Sequence, residues 1–215
     1  MRIIPWRVKA FLSNHFPLAY HLAVNVGWRG NSEQHWDRML EETWDDPARA
    51  WPTKNDLIES LTQPEMKILD VACGTGSILR TLKQRGFVNL YALEISGYAV
   101  SRLNSEGIHA RRGMLPRIDF PGHEFDIVIA SQVLEHVIRR GTFARELRRV
   151  LKPDGRVFIF VPNNCLGPID EPEHVIAYTA ESLQRFLSKY FVVEGIKGIH
   201  DANHESPILF AQVRA

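Results

Sequence analysis

Cysteine is scarce in this chain: Cys73 and Cys165 are its only two, far apart in the sequence. With no paired spacing and no CxxC, a disulfide-stapled scaffold and a cysteine-based zinc site are excluded, and the usage fits a reducing, cytoplasmic setting. An excess of charge of one sign is also missing, since 26 Lys and Arg face 25 Asp and Glu for a net charge of +1. Nucleic-acid-binding surfaces show as a marked basic excess, so no such partner is expected. No apolar run reaches the roughly 18 residues that a membrane span requires. The nearest, Phe16 to Trp28, follows a basic stretch (Arg2, Arg7, Lys9) but is broken at Pro17 and interrupted by His21 and Asn25. No small-x-small cleavage site follows it, so it reads as mature protein, with a peripheral membrane contact through residues 1–28 left open. The length of 215 residues suits one α/β domain with a full core and is short for two. Oligomeric state is not legible.

What is present is unevenly distributed. All five tryptophans (Trp6, Trp28, Trp36, Trp44, Trp51) and three histidines (His15, His21, His35) fall in the first 64 residues. Charge there is segregated, basic before Asn31 and mostly acidic from Glu33 to Asp46. Residues 1–64 are therefore read as a helical cap of two or three helices, and residues 65–215 as the core domain. The tryptophans either anchor the cap by packing or line a pocket beneath it.

From Glu65 onward, strands and helices alternate. Met66 to Ala72 is a β-rich run ending in glycines, followed by a helix over Ser77 to Arg85. Asn89 to Ile95 is a second strand, and Ser96 is placed to cap a helix through Asn104. Ile108 to Arg111 is a weaker third strand; Phe125 to Ala130, apolar on both faces, suits the centre of a parallel sheet. A basic helix from Arg139 to Leu151 should end in a turn at Lys152-Pro153-Asp154-Gly155, before a fifth strand from Arg156 to Val161. Thr179 should cap a helix to Ser188, and the strands Phe191 to Ile196 and Pro207 to Val213 should pair antiparallel. Such alternation predicts a three-layer αβα, mostly parallel sheet with right-handed crossovers.

The segment ILDVACGTGSIL (68–79) carries a strand into Gly74-Thr75-Gly76 and then a helix. Ligands of open α/β sheets sit beyond the carboxyl ends of the strands beside the first strand, and glycines there let a ligand approach the backbone. Glu94, 18 residues past Gly76, ends the second strand, where an acid can accept from a ribose diol. The alternatives are that Glu94 is a solvated strand end and that Asp70 caps the following helix. A dinucleotide loop reads GxGxxG and holds a pyrophosphate; here Leu79 stands at the third glycine and Asp70 precedes the loop. A carboxylate repels a pyrophosphate and attracts an ammonium or a sulfonium, so the charges select S-adenosylmethionine.

The run D-x-A-C-G-T-G-S with Glu94 after it resembles the cofactor loop of class I S-adenosylmethionine-dependent methyltransferases, of the small-molecule type. The likeness extends through FDIVIASQVLEHV (125–137), RELRRVLKPDGRVFIFVPN (145–163) and HVIAYTAESLQRFL (174–187), covering about residues 65–215. It implies a Rossmann-like sheet of seven strands in the order 3-2-1-4-5-7-6, strand seven antiparallel. It implies further that Asp70, Ala72, Cys73, Gly74 and Gly76 surround the methionine moiety of the cofactor. By the same resemblance Glu94 binds the ribose, Ile95 packs on the adenine, and Ser131, Gln132 and Val133 line the methyl-donor pocket. The family often carries an acid after strand three for the adenine amino group; Met114 and Leu115 stand there instead.

Methyl transfer requires mainly that nucleophile and methyl group be held in line, with a base only where the nucleophile must lose a proton. His136 is the candidate base, and His174 and Tyr178 are candidates to face the acceptor; His136 and Glu135 could equally fix the loop to a neighbouring helix. His200 and His204 have HxxxH spacing but fall in a loop, and no metal site is expected there or elsewhere. The basic run Arg139, Arg140, Arg145, Arg148, Arg149 and Lys152 reads as a solvated helix face. The leading expectation is a methyltransferase for a small or lipid-like acceptor. The competitors are a nicotinamide-dependent oxidoreductase and a non-catalytic S-adenosylmethionine-binding module.

Overall fold

The computed structural model describes residues 32–163, 174, 176–200 and 207–215, together with 15, 16 and 19. Trp6, Trp28, His21, Cys165, His204 and most of the suggested membrane-contact segment 1–28 lie outside the described residues.

Seven strands form one sheet: β1 (Ile68–Val71), β2 (Leu90–Glu94), β3 (His109–Arg112), β4 (Phe125–Ser131), β5 (Leu151–Pro162), β6 (Val192–Ile199) and β7 (Ile208–Arg214). Their order is β3-β2-β1-β4-β5-β7-β6. The first five pair in parallel, and β7 runs antiparallel to both β5 and β6. The helices are α1 (Glu33–Glu42), α2 (Pro52–Ser60), α3 (Ser77–Gln84), α4 (Gly97–Ser105), α5 (Arg140–Val150) and α6 (Ala180–Leu187).

Side-chain alternation divides the core in two. Ile68, Ile127, Ile129, Phe158 and Phe160 point to the face covered by α1 to α4, where they meet Leu40, Ile58, Leu79, Leu82 and Leu103. Leu69, Val71, Val128 and Val157 point to the opposite face, against Phe143, Leu147 and Leu183 of α5 and α6. A period of two along each strand is what makes both faces apolar and yields three layers. Asp70 lies between Leu69 and Val71, so alternation turns it toward the α1–α4 side.

Helix starts follow local chemistry. Ser96 accepts from Ala99 N at 3.1 Å to open α4. Thr179 and Ser182 exchange bonds in a capping box at α6.

Three sequence expectations need correction. Lys152-Pro153-Asp154-Gly155 is not a turn between elements: β5 runs through it, and the register shifts between Phe125 and Ile127 of β4 to absorb the extra residues. Asp126 holds that bulge, accepting from Lys152 Nζ at 2.8 Å and from Lys67 N at 2.9 Å. The basic face of α5 is not merely solvated either. Arg149 donates to the carbonyls of Ile118 (2.6 Å) and Phe120 (2.8 Å), and Arg148 to that of Tyr190 (3.0 Å), so the guanidinium groups pin neighbouring loops. Finally, α3 opens on Gly76 with no side-chain cap, so Asp70 does not serve as one.

The sheet's outer strands are polar. His109, Arg111 and Arg112 of β3 are exposed, as are Glu194 and Lys197 of β6, which also carries a bulge between Val193 and Gly195.

The described helices that precede β1 pack on the α3–α4 side. Asp37 of α1 accepts from Ser96 Oγ at 2.6 Å and from Tyr98 N at 3.1 Å, anchoring α1 to the start of α4. Trp44 is buried between Tyr98, Arg80 and Arg102, a packing role.

Candidate active site

A cavity of about 940 Å³ opens beyond the carboxyl ends of β1, β2 and β4. Its floor is the loop after β1, which the chain can trace only with left-handed backbone. Ala72, Gly74 and Gly76 have φ of 54°, 58° and 66°. At Gly76 an added Cβ would stand 2.5 Å from Leu103 Cδ2, so this glycine lets α3 and α4 pack closely. It is not a cavity-lining residue, unlike Ala72, Cys73 and Gly74.

Glu94 is buried, not a solvated strand end. One carboxylate oxygen accepts from Gly74 N at 2.8 Å; the other accepts from Ile95 N (2.7 Å) and Ser96 N (3.1 Å). The carboxylate thus braces the glycine loop, and the oxygen bonded to Gly74 keeps a lone pair for a further donor. Burial pushes its pKa up, opposed by these three amides.

Asp70 is 1 % exposed and its Oδ1 has no hydrogen-bond partner. Burial pushes its pKa up to about 8; the nearby Lys54 ammonium works against this and the Glu94 carboxylate adds to it. The same burial, with Glu94 and Asp70 beside it, holds the Cys73 thiol well above its ordinary range, so it is protonated and not a nucleophile.

Lys54 is the residue that sequence reasoning missed. It comes from α2, is 2 % exposed, donates from Nζ to Ser131 Oγ at 2.8 Å, and lies 4.0 Å from the centre of the Trp51 ring. A lysine in a polar helix carries no sequence mark of burial; only its packing beneath Trp51 reveals it. His35, Trp36 and Met39 of α1 also line the cavity, as do Arg49 and Trp51, so two of the tryptophans before β1 do face a pocket.

Ile95, Met114, Leu115, Ser131, Gln132, Val133, His136 and His174 all line the cavity. The His136 ring meets those of His174 (centroids 4.7 Å apart) and Trp36 (6.1 Å) edge to face. Tyr178 does not line the cavity. It is 1 % exposed within the α5–α6 side of the core, where its hydroxyl accepts from Arg140 at 3.5 Å, and burial raises its pKa. The strand-like pairing of Tyr178 with Asn163 turns it into the protein rather than toward an acceptor.

The chemistry of this donor set suits S-adenosylmethionine. A buried carboxyl and a buried lysine on one wall complement the zwitterion of an α-amino acid, and Glu94 keeps an acceptor oxygen at the end of β2.

A family model described as "Methyltransferase domain" matches residues 69–159. The chain is 33% identical over 101 residues to a sterol 24-C-methyltransferase of Gibberella zeae, covering 43% of this chain and 27% of that one. It is 26% identical over 134 residues to a ubiquinone biosynthesis O-methyltransferase of Neisseria meningitidis, covering 57% and 53%. The matched stretch thus spans about a quarter to a half of these relatives. Among solved structures, an S-adenosylmethionine-dependent methyltransferase from Mesorhizobium loti superposes with a TM-score of 0.62 at 18% identity, over 80% of this chain and 100% of that one. Strand order and glycine loop agree with the methyltransferase domain matched over residues 69–159, and the fold is that of class I S-adenosylmethionine-dependent methyltransferases, to which the chain is similar.

Proposed function

We propose that the protein transfers a methyl group from S-adenosylmethionine to a small-molecule or lipid-like acceptor held beneath the α1–α2 cap. When bound, the cofactor supplies a sulfonium-activated methyl group, so the protein's work is to hold, orient and shield. Asp70 and Lys54 take the ammonium and carboxylate of the methionine moiety, and Glu94 takes the ribose. Trp36, Met39 and Trp51 provide apolar walls suited to an acceptor with a greasy body, in keeping with relatives named for sterol and ubiquinone chemistry.

The observation that carries this reading is Asp70: a fully buried carboxyl on the cavity wall with an unbonded oxygen, whose ionised form a cationic ligand stabilises and a diphosphate opposes. Calorimetric titration tests it. S-adenosylmethionine and S-adenosylhomocysteine should bind and NADH should not, and Glu94→Ala should weaken cofactor binding roughly 10- to 100-fold through loss of hydrogen bonds to a charged group. Tight NADH binding would instead favour an oxidoreductase. Release of S-adenosylhomocysteine across an acceptor library then identifies the substrate.

A further inference from the structure

We propose that Glu135, His136 and His174 form a binding site for a single divalent transition-metal ion in the wall of this cavity. Glu135 and His136 sit on the 3₁₀ turn Leu134–His136 that follows β4, and His174 on the segment that precedes α6. One ligand atom from each of the three lies within 4.8 Å of the other two. The two imidazole rings are 4.7 Å apart at 78°. The backbone holds the two segments together, since Ile176 N donates to the Glu135 carbonyl at 3.3 Å. The grouping is thus fixed by main chain as well as by side-chain packing.

The donor types decide the class of ion. Two imidazoles and one carboxylate suit Zn²⁺, Co²⁺ or Fe²⁺, whereas Mg²⁺ and Ca²⁺ prefer oxygen-only sets. Bonds of about 2.0–2.2 Å at tetrahedral angles place the donors on one ion about 3.4 Å apart, so the cluster closes by up to about 1.4 Å on binding. Side-chain rotation supplies that. Three protein ligands leave the remaining positions open, and all three residues line the cavity, so an acceptor atom can take one of them.

The site also narrows the acceptor, a consequence that rests on the methyltransferase reading above. A divalent cation lowers the pKa of an oxygen acid that it binds, so the substrate class is a hydroxyl compound, a phenol or an enol. The hydroxyl proton leaves to solvent, an oxygen lone pair forms the new O–C bond to the methyl carbon, and the C–S pair returns to sulfur, which becomes a neutral thioether. A histidine holding an ion cannot also accept that proton, so metal ligation replaces the general-base role expected of His136.

The test uses the purified full chain stripped of metal, without cofactor. Titration with Co²⁺ followed by visible absorption, and with Zn²⁺ by calorimetry, should show one equivalent bound, with Mg²⁺ failing to compete. His174→Ala and His136→Gln should each weaken binding by at least about 100-fold, more than is lost with an outer-sphere partner. Both variants are checked by circular dichroism, and Zn²⁺ should raise the melting temperature of the wild type and of neither variant. Glu94→Ala should keep the metal while binding the cofactor roughly 10- to 100-fold more weakly, which separates this site from the methyltransferase reading. The proposal is overturned if the wild type binds no stoichiometric Co²⁺, or if both folded variants bind it as tightly as the wild type.

Discussion

Replacing Asp70 with asparagine should stabilise the ligand-free protein at pH 7 and at the same time loosen its hold on S-adenosylmethionine. The carboxyl has a pKa of about 8 in the folded chain against 3.8 in its ordinary state, chiefly because burial penalises the charged form. Between those two values the folded state keeps a proton that the unfolded state has lost. Stability therefore falls as pH rises from about 4 toward about 8 and is level beyond it. At pH 7 the accumulated loss is at most about 4 kcal/mol, from roughly three pH units at 1.36 kcal/mol each. Asparagine has nearly the same shape and no charge to desolvate, so its urea midpoint should exceed that of the wild type at pH 7 and 9 and converge with it near pH 4. Parallel curves across that range would count against the buried acid. Affinity moves the other way. An ammonium ligand is met by the ionised form, so wild-type binding should strengthen with pH up to about 8, while Asp70→Asn should bind about 10- to 100-fold more weakly with little pH dependence. The stability given up at this position is what makes the cavity selective for a cation.

Gly76→Val should lower the stability of the whole domain by about 4 kcal/mol, the sum of a backbone and a packing penalty. The backbone there is left-handed at φ 66°, which costs a β-branched residue about 1–3 kcal/mol. A side chain would also meet Leu103 Cδ2 at 2.5 Å, and overpacking of a filled core adds about 1–3 kcal/mol. Leu103 is fully buried, so it cannot swing out to solvent to make room. Denaturation should show an earlier midpoint with unchanged slope, and Leu103→Ala in the same chain should recover part of the loss by opening space. A Gly76→Val protein as stable as the wild type would mean that α3 and α4 do not approach as described. Gly74 offers a contrast, since its added Cβ would come no closer than 3.7 Å to Leu40. Substitution there should act through backbone strain and ligand access rather than through packing.

Much of the frame was legible because it rests on short-range patterns. The apolar runs of β1, β4 and β5, the Ser96 and Thr179 caps and the spacing from Gly76 to Glu94 each follow from local sequence, and the structure places β1, β4 and both caps within two residues of expectation, while β5 begins at Leu151 rather than Arg156. What was not legible depends on contacts distant in sequence. Lys54 reaches Ser131 across 77 positions, and nothing near Lys54 signals that its ammonium is buried. Tyr178 looked available because it precedes a helix beside His174, yet its bridge to Asn163 carries it into the core. Lys152 to Gly155 was read as a turn between elements from its Pro and Gly, whereas Asp126 on the neighbouring strand holds the extra residues within the ladder. Glu94 shows both sides. Its position marked it as a ligand for a ribose, while its grip on the amides of Gly74, Ile95 and Ser96 emerged only in three dimensions.

In crowded solution the two outermost strands make poor templates. Arg111 and Arg112 on one margin, and Glu194, Lys197 and a bulge on the other, leave each rim charged or crooked. A newly made copy of the chain finds no straight, uncharged row of amides on which to extend the ladder, and concentrated protein is thereby protected from sheet-to-sheet fibre growth.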